Sequence, residues 1–130
     1  MTFDLRVNRY QLLRKMEEKM GFQKVADIQE FDNIDKKLIE LDEKKILLTK
    51  VAGGYYAISN KCPHMGGSLY KGTLQDGVIT CPRHGAKYDA KTGKGLGKPK
   101  ILFFEFKMED DRSFPVKVED GDILIDINPA

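Results

Sequence analysis

The chain has 130 residues, with 22 Lys+Arg against 20 Asp+Glu and a formal charge of +2, so one domain around a single core is expected, without disulfide staples. Near-balanced charge excludes a dedicated nucleic-acid binder, which carries a strongly basic face, and 41% hydrophobic with 9% aromatic residues excludes bulk disorder. The apolar runs 46–48 and 101–104 are too short to cross a bilayer, and the first residues show no apolar stretch of a secretory signal; a cytoplasmic protein without a membrane partner is expected.

In chain order, Tyr10, Leu12, Leu13, Met16 and Met20 recur at helical spacing among charged neighbours, which predicts an N-terminal helix over residues 1–20 stopped by Gly21. Short strands follow. They are predicted at 22–28, at 37–41, and at 46–51 and 55–59 around a Gly53-Gly54 turn. Asp76-Gly77 leads into a strand at 78–80, and another is expected at 86–88. Strands at 101–106, 114–119 and 122–127 complete the set, the last two around Asp120-Gly121. Glu109, Asp110 and Asp111 read as a solvated loop tip. Eight or so short strands at this spacing predict a mostly β fold, an antiparallel sandwich or small barrel, with no internal repeat and no second domain.

Charge is unevenly spread. Residues 62–100 hold 7 basic against 2 acidic residues, and residues 101–130 hold 3 against 8. The basic middle segment also contains every Cys and every His of the protein, as Cys62-Pro63-His64 and Cys81-Pro82-Arg83-His84. Each Cys is followed by Pro and each His soon by Gly, so two tight loops each offer one thiolate and one imidazole.

Three readings of these four residues compete. A Cys62–Cys81 disulfide leaves both His without a role and disagrees with a reducing compartment. A structural zinc ion accepts two thiolates and two imidazoles, yet zinc knuckles usually pair like with like, and here each loop mixes them. A [2Fe–2S] cluster with split ligation, thiolates on one iron and imidazoles on the other, matches one Cys and one His per loop. Ser68 has no spare His to activate it, and no phosphate loop is legible, so no catalytic residue, no enzyme activity and no small-molecule substrate are expected.

The stretch 62–69 (CPHMGGSL), the stretch 81–89 (CPRHGAKYD) and Thr92-Gly93 resemble the Rieske family, and within it the small soluble ferredoxins that serve ring-hydroxylating oxygenases. The likeness runs from about Gly21 to Ile127. It implies a Rieske domain over 21–130 with a cluster-binding subdomain at about 61–99, and leaves 1–20 as a helical extension without a counterpart in short ferredoxins. The segment 107–113 is also a few residues longer than usual. The resemblance further implies that Cys62, His64, Cys81 and His84 hold one [2Fe–2S] cluster. The chain would then carry single electrons from a reductase to a terminal oxygenase or related oxidoreductase. The alternatives are a small Rieske subunit of a larger oxidoreductase, as in nitrite reductase, and a zinc-stabilised interaction module.

Two neutral imidazoles in place of two thiolates make an added electron easier to accept, which places such clusters at roughly −150 to +300 mV against about −400 mV for four-thiolate ferredoxins. High-potential relatives carry an extra Cys pair, where this chain has Gly67 and Arg83, and a Ser where it has Ala86. A potential in the lower part of the range is therefore expected, with Tyr88 as the remaining candidate donor to a cysteine sulfur. Lys71, Arg83, Lys87, Lys91, Lys94, Lys98 and Lys100 are expected to form a basic rim that steers the tip toward an acidic partner.

Overall fold

The computed structural model describes Arg9 and residues 21–63, 66–83, 85–96, 100–101, 104–105 and 109–128. Apart from Arg9, the predicted N-terminal helix lies outside the described residues. The strands are β1 (Phe22–Asp27), β2 (Lys36–Leu41), β3 (Lys44–Val51), β4 (Gly54–Ser59), β5 (Thr73–Gln75), β6 (Val78–Thr80), β7 (Lys87–Asp89), β8 (Gly95–Leu96), β9 (Lys100–Ile101), β10 (Phe104–Glu105), β11 (Ser113–Phe114), β12 (Val116–Glu119) and β13 (Asp122–Asp126). They pair antiparallel in the orders β1-β13-β12, β11-β4-β3-β2, β5-β6-β7-β8 and β10-β9. This is the mostly β antiparallel architecture expected from the strand spacing.

Strand β3 explains how the layers stack. Ile46, Leu47, Leu48 and Thr49 are all fully buried, an uninterrupted run rather than the alternation of a sheet with one wet face. Successive side chains point to opposite faces, so both faces must be covered. Ile46, Leu48 and Ala57 pack with Phe31, Ile39, Phe114, Ile123, Ile125 and Ile127, toward the β1-β13-β12 sheet. Leu47 and Ile58 point the other way and pack with Cys62, Leu69, Ile79, Cys81, Ala86 and Tyr88. The central sheet thus separates two cores, and both cysteines belong to the second. Each fully buried Leu or Ile contributes roughly 1.5–3 kcal/mol.

Among the described residues, four hairpins turn on two residues, both with positive φ: Asp42-Glu43, Ala52-Gly53, Asp76-Gly77 and Asp120-Gly121. That geometry follows the right-handed twist of paired strands. The expected Gly53-Gly54 turn is therefore shifted by one, because Gly54 already pairs with Val51. The single strand expected over 101–106 is instead the pair β9 and β10, with Phe104 opposite Ile101. The strand expected over 114–119 is also two: Phe114 pairs with Ala57 in the central sheet, and Val116 with Ile125 in the outer one. Pro115 stands at the crossing, where it lacks the N–H that a continuous ladder needs.

Candidate metal centre

Cys62 and Cys81 are buried to 1% and 2% exposure and form no disulfide, so the disulfide reading is overturned. Both end up in the second core although the loops carrying them are wet: Gly66, Pro82, Arg83 and Gly85 are exposed. The two loops are built alike. The amide of Cys62 donates to the Gly67 carbonyl at 2.8 Å, and the Gly66 amide returns to the Cys62 carbonyl at 2.8 Å. Likewise the amide of Cys81 donates to the Ala86 carbonyl at 2.7 Å, and the Gly85 amide to the Cys81 carbonyl at 3.1 Å. Reversing the chain within four residues puts the residue at that offset in the left-handed region, with φ of 72° at Gly66 and 69° at Gly85, which glycine adopts without a Cβ penalty.

The loops also face each other closely. A Cβ on Gly67 would lie 3.3 Å from Cys81 Sγ and 3.3 Å from Arg83 Cδ. The first loop's backbone therefore rests against the second loop's thiol, and a side chain at 67 would wedge the two apart. Gly67 and Arg83, the positions where high-potential relatives are expected to carry their extra Cys pair, are thereby neighbours across the loops.

Tyr88 is fully buried, and its hydroxyl stands 3.5 Å from Cys62 Sγ. Once that sulfur is a thiolate, only the phenol can donate. Burial first, then the bond to Cys62, pushes the phenol pKa upward, so it keeps its proton. The role of a core aromatic is met, and the hydroxyl stands within reach of the sulfur that the expected donor role requires.

Sequence reasoning missed Asn60. Its amide Nδ2 donates to Ser68 Oγ at 2.9 Å, its Oδ1 accepts from the Tyr70 amide at 2.8 Å, and its carbonyl accepts from the Leu69 amide at 2.9 Å. These bonds staple the base of the first loop, whereas the second is closed by the β6–β7 ladder, with Thr80 opposite Lys87. Only a polar residue between an apolar strand and a cysteine loop hinted at it.

Asp111 corrects the expectation of a solvated loop tip, for it is 7% exposed. Its amide donates to the Gly93 carbonyl at 2.6 Å, and Asp110 Oδ1 accepts from the Gly95 amide at 2.9 Å, so the segment bolts down the β7–β8 turn. Asp111 Oδ1 accepts from the Arg112 amide, but Oδ2 is buried with no hydrogen-bond partner, and burial lifts the carboxyl to about 7.

The basic rim is redrawn as well. Lys71, Arg83 and Lys87 are exposed at the cysteine end of the β5–β8 sheet, beside Thr80 and Cys81. Lys91 and Lys94 follow the far ends of the same strands, where the Ala90 amide meets the Gly77 carbonyl. Lys98 lies outside the described residues, as does the side chain of Lys100. Lys61, exposed and adjacent to Cys62, joins the cysteine end instead. His64 and His84 also lie outside the described residues.

Two equal cysteine loops at one end of a doubly covered antiparallel sheet define a class, small β proteins that present a centre on paired loops. Comparison with known proteins narrows the class: the family profile of the Rieske [2Fe-2S] domain matches residues 21–102. The chain belongs to the Rieske [2Fe-2S] domain family. It is 34% identical over 108 residues to the 3-phenylpropionate/cinnamic acid dioxygenase ferredoxin subunit of Escherichia coli K12, covering 82% of this chain and 91% of that one. It is 39% identical over 93 residues to human apoptosis-inducing factor 3, covering 69% of this chain but only 15% of the relative's length. The fold matches a solved complex of reduced oxygenase and oxidized ferredoxin in carbazole 1,9a-dioxygenase, with TM-score 0.72 at 23% identity over 82% of this chain and 94% of the other. The Escherichia coli relative, matched over most of its length, is by name the ferredoxin subunit of a dioxygenase.

Proposed function

We propose that Cys62, His64, Cys81 and His84 hold one Rieske-type [2Fe–2S] cluster, and that the chain is a cytoplasmic one-electron carrier between a reductase and a terminal oxygenase or related oxidoreductase. The carrying observation is the equal construction of the two loops around unbridged, buried thiols. The same reading divides the chain into an extension (1–20) and a Rieske domain (21–130) with its cluster subdomain at about 61–99. When bound, the cluster supplies reversible one-electron chemistry. The chain's own residues prepare for it. Backbone bonds fix both thiols, Tyr88 aims a proton at Cys62 Sγ, and Leu47, Ile58, Leu69 and Ile79 seal the inner side with apolar surface. Among the described residues no helix is long and apolar enough to cross a membrane. The relatives' names support the pairing with a dioxygenase.

The test is iron and acid-labile sulfide analysis of the purified protein, with visible and EPR spectra before and after dithionite. About two irons and two sulfides per chain, with an EPR signal only after reduction, are expected. A colourless protein holding one zinc would overturn the reading in favour of an interaction module. A second reading, a subunit or domain within a larger protein, is favoured by the 39% identity to apoptosis-inducing factor 3, of which this chain spans 15%. Co-purification of a stoichiometric partner chain would support it.

A further inference from the structure

In the body, Lys24 is tied to Asp27 and Asp122, Lys37 to Glu30, and Lys117 to Glu119, while Lys44 bonds the Ile127 carbonyl and Asn128 Oδ1, and Lys36 reaches the Tyr70 and Gly72 carbonyls. At the cysteine end, Lys61, Lys71, Arg83 and Lys87 are all exposed, and no ion pair joins the three lysines to a carboxylate among the described residues. Between Asn60 and Tyr88 the only acidic residue is Asp76, on the β5–β6 turn at the opposite end of those strands. Contacts of the two loops and of the β6–β7 pair place the four cations at the cysteine end. Lys61 bridges to Ser68 and flanks Cys62; Lys71 precedes Gly72, whose α-carbon abuts the Thr80 carbonyl; Lys87 pairs with Thr80; and Arg83 reaches over Gly67. The overall charge of +2 is too small to produce a strong field at a distance, so any field here is local.

We infer that Lys61, Lys71, Arg83 and Lys87 form a cationic collar around the electron exit, fitted to an oxidoreductase partner whose docking face is acidic. The inference rests on the proposed electron-carrier reading and adds the chemistry of the partner. A collar of exposed positive charge focuses potential where the partner must approach and raises encounter rates by roughly 10- to 1,000-fold at low salt. Lys24, Lys37 and Lys117, each beside a carboxylate, add little to that field.

The experiment uses the full-length holoprotein, reduced with dithionite and freed of excess reductant. Its oxidation is followed by stopped flow with two probes, anionic ferricyanide and cationic hexaamminecobalt(III). Each accepts one electron from the reduced protein, giving ferrocyanide or the cobalt(II) complex. Raising ionic strength from about 0.01 to 0.5 M should slow the ferricyanide reaction at least about tenfold and speed the cobalt reaction. The triple variant Lys61→Glu/Lys71→Glu/Lys87→Glu should invert both trends. A control variant with the same change of net charge at the far end of the strands, Lys50→Glu/Lys91→Glu/Lys94→Glu, should leave them nearly as they were. Equal salt responses in the two variants would overturn the collar while leaving the carrier reading intact, since iron, sulfide and EPR signal would be unchanged. A protein without a cluster at the outset would overturn both.

Discussion

The body and the cysteine end of this protein are stabilised by different means. In the body, Ile46, Leu48, Ile123, Ile125 and Ile127 interlock between two sheets, all fully buried, and lysines pair with carboxylates at the rim. At the cysteine end, strands shrink to two or three residues, and backbone-to-backbone loop bonds, the Asn60 staple and two sulfurs join a smaller aliphatic cluster. The body is a core that organises itself. The other end is a smaller core, in which Leu47, Ile58, Leu69, Ile79 and Tyr88 close around the two cysteines beneath exposed loops. The central sheet belongs to both, with Leu48 facing one and Leu47 the other.

The largest expected effect breaks the cysteine end while sparing the body. Replacing Cys81 by Ser should abolish iron and sulfide incorporation and the visible spectrum. Far-UV circular dichroism should retain most of the β signal, since the core against β1, β12 and β13 contains no cysteine. Complete unfolding of the variant would show instead that the two cores are one cooperative unit.

Next come substitutions that compare the two faces of β3. Leu48→Ala should destabilise the protein by about 2–5 kcal/mol whether or not the centre is loaded, because its cavity opens in the body. Leu47→Ala should reach that range only in the loaded protein and cost clearly less in the metal-free form, where no cluster ties the two cysteine loops together. Chemical denaturation of both forms checks this, and equal costs at both positions and in both forms would erase the distinction.

Asp111 sharpens the comparison at the joint between the regions. Its carboxyl is lifted by burial from the usual value near 4 to about 7. The folded state therefore holds a proton that the unfolded chain releases earlier. The associated stability is complete below about pH 4, declines between about pH 4 and 7, and is absent above. The effect is at most about 4 kcal/mol, and relaxation around the charged form makes it smaller. Asp111→Asn should flatten that segment of the stability–pH profile and raise stability at pH 8 relative to the parent. A profile with the same slope in both proteins would assign the pH dependence to other groups.

How much of this was legible in the sequence depends on what each residue answers to. The two cysteine loops and the Asp76-Gly77 and Asp120-Gly121 hairpins are written in local chemistry, and the structure has them where the sequence pattern puts them. Asp42-Glu43 turns the same way without glycine, so composition gave no sign of it. The break at Pro115 is a tertiary choice: Phe114 and Val116 are both good strand residues, and only the presence of two sheets divides them. Asp111 was misread because three consecutive acids look solvated, whereas its position is dictated by the Gly93 carbonyl that needs a donor. Lys61 escaped the expected rim because it precedes the motif, yet its bridge to Ser68 keeps it on the first cysteine loop.

The smallest effect tests whether the second core does more than fill space. Tyr88→Phe keeps the ring and its packing against Ile79 and Leu47 but removes the hydroxyl that stands 3.5 Å from Cys62 Sγ. Folding stability of the metal-free protein should hardly change, since the sulfur is a weak acceptor there. In the loaded protein the phenol favours the more negative, reduced state, because a donor is worth more against a more negative sulfur. Its loss should therefore lower the midpoint potential by on the order of 40 mV, which corresponds to about 1 kcal/mol for one electron. Protein-film voltammetry of the two proteins under one buffer reads the difference directly. An unchanged midpoint would make Tyr88 a packing residue alone and transfer the control of potential to the backbone amides of the two loops.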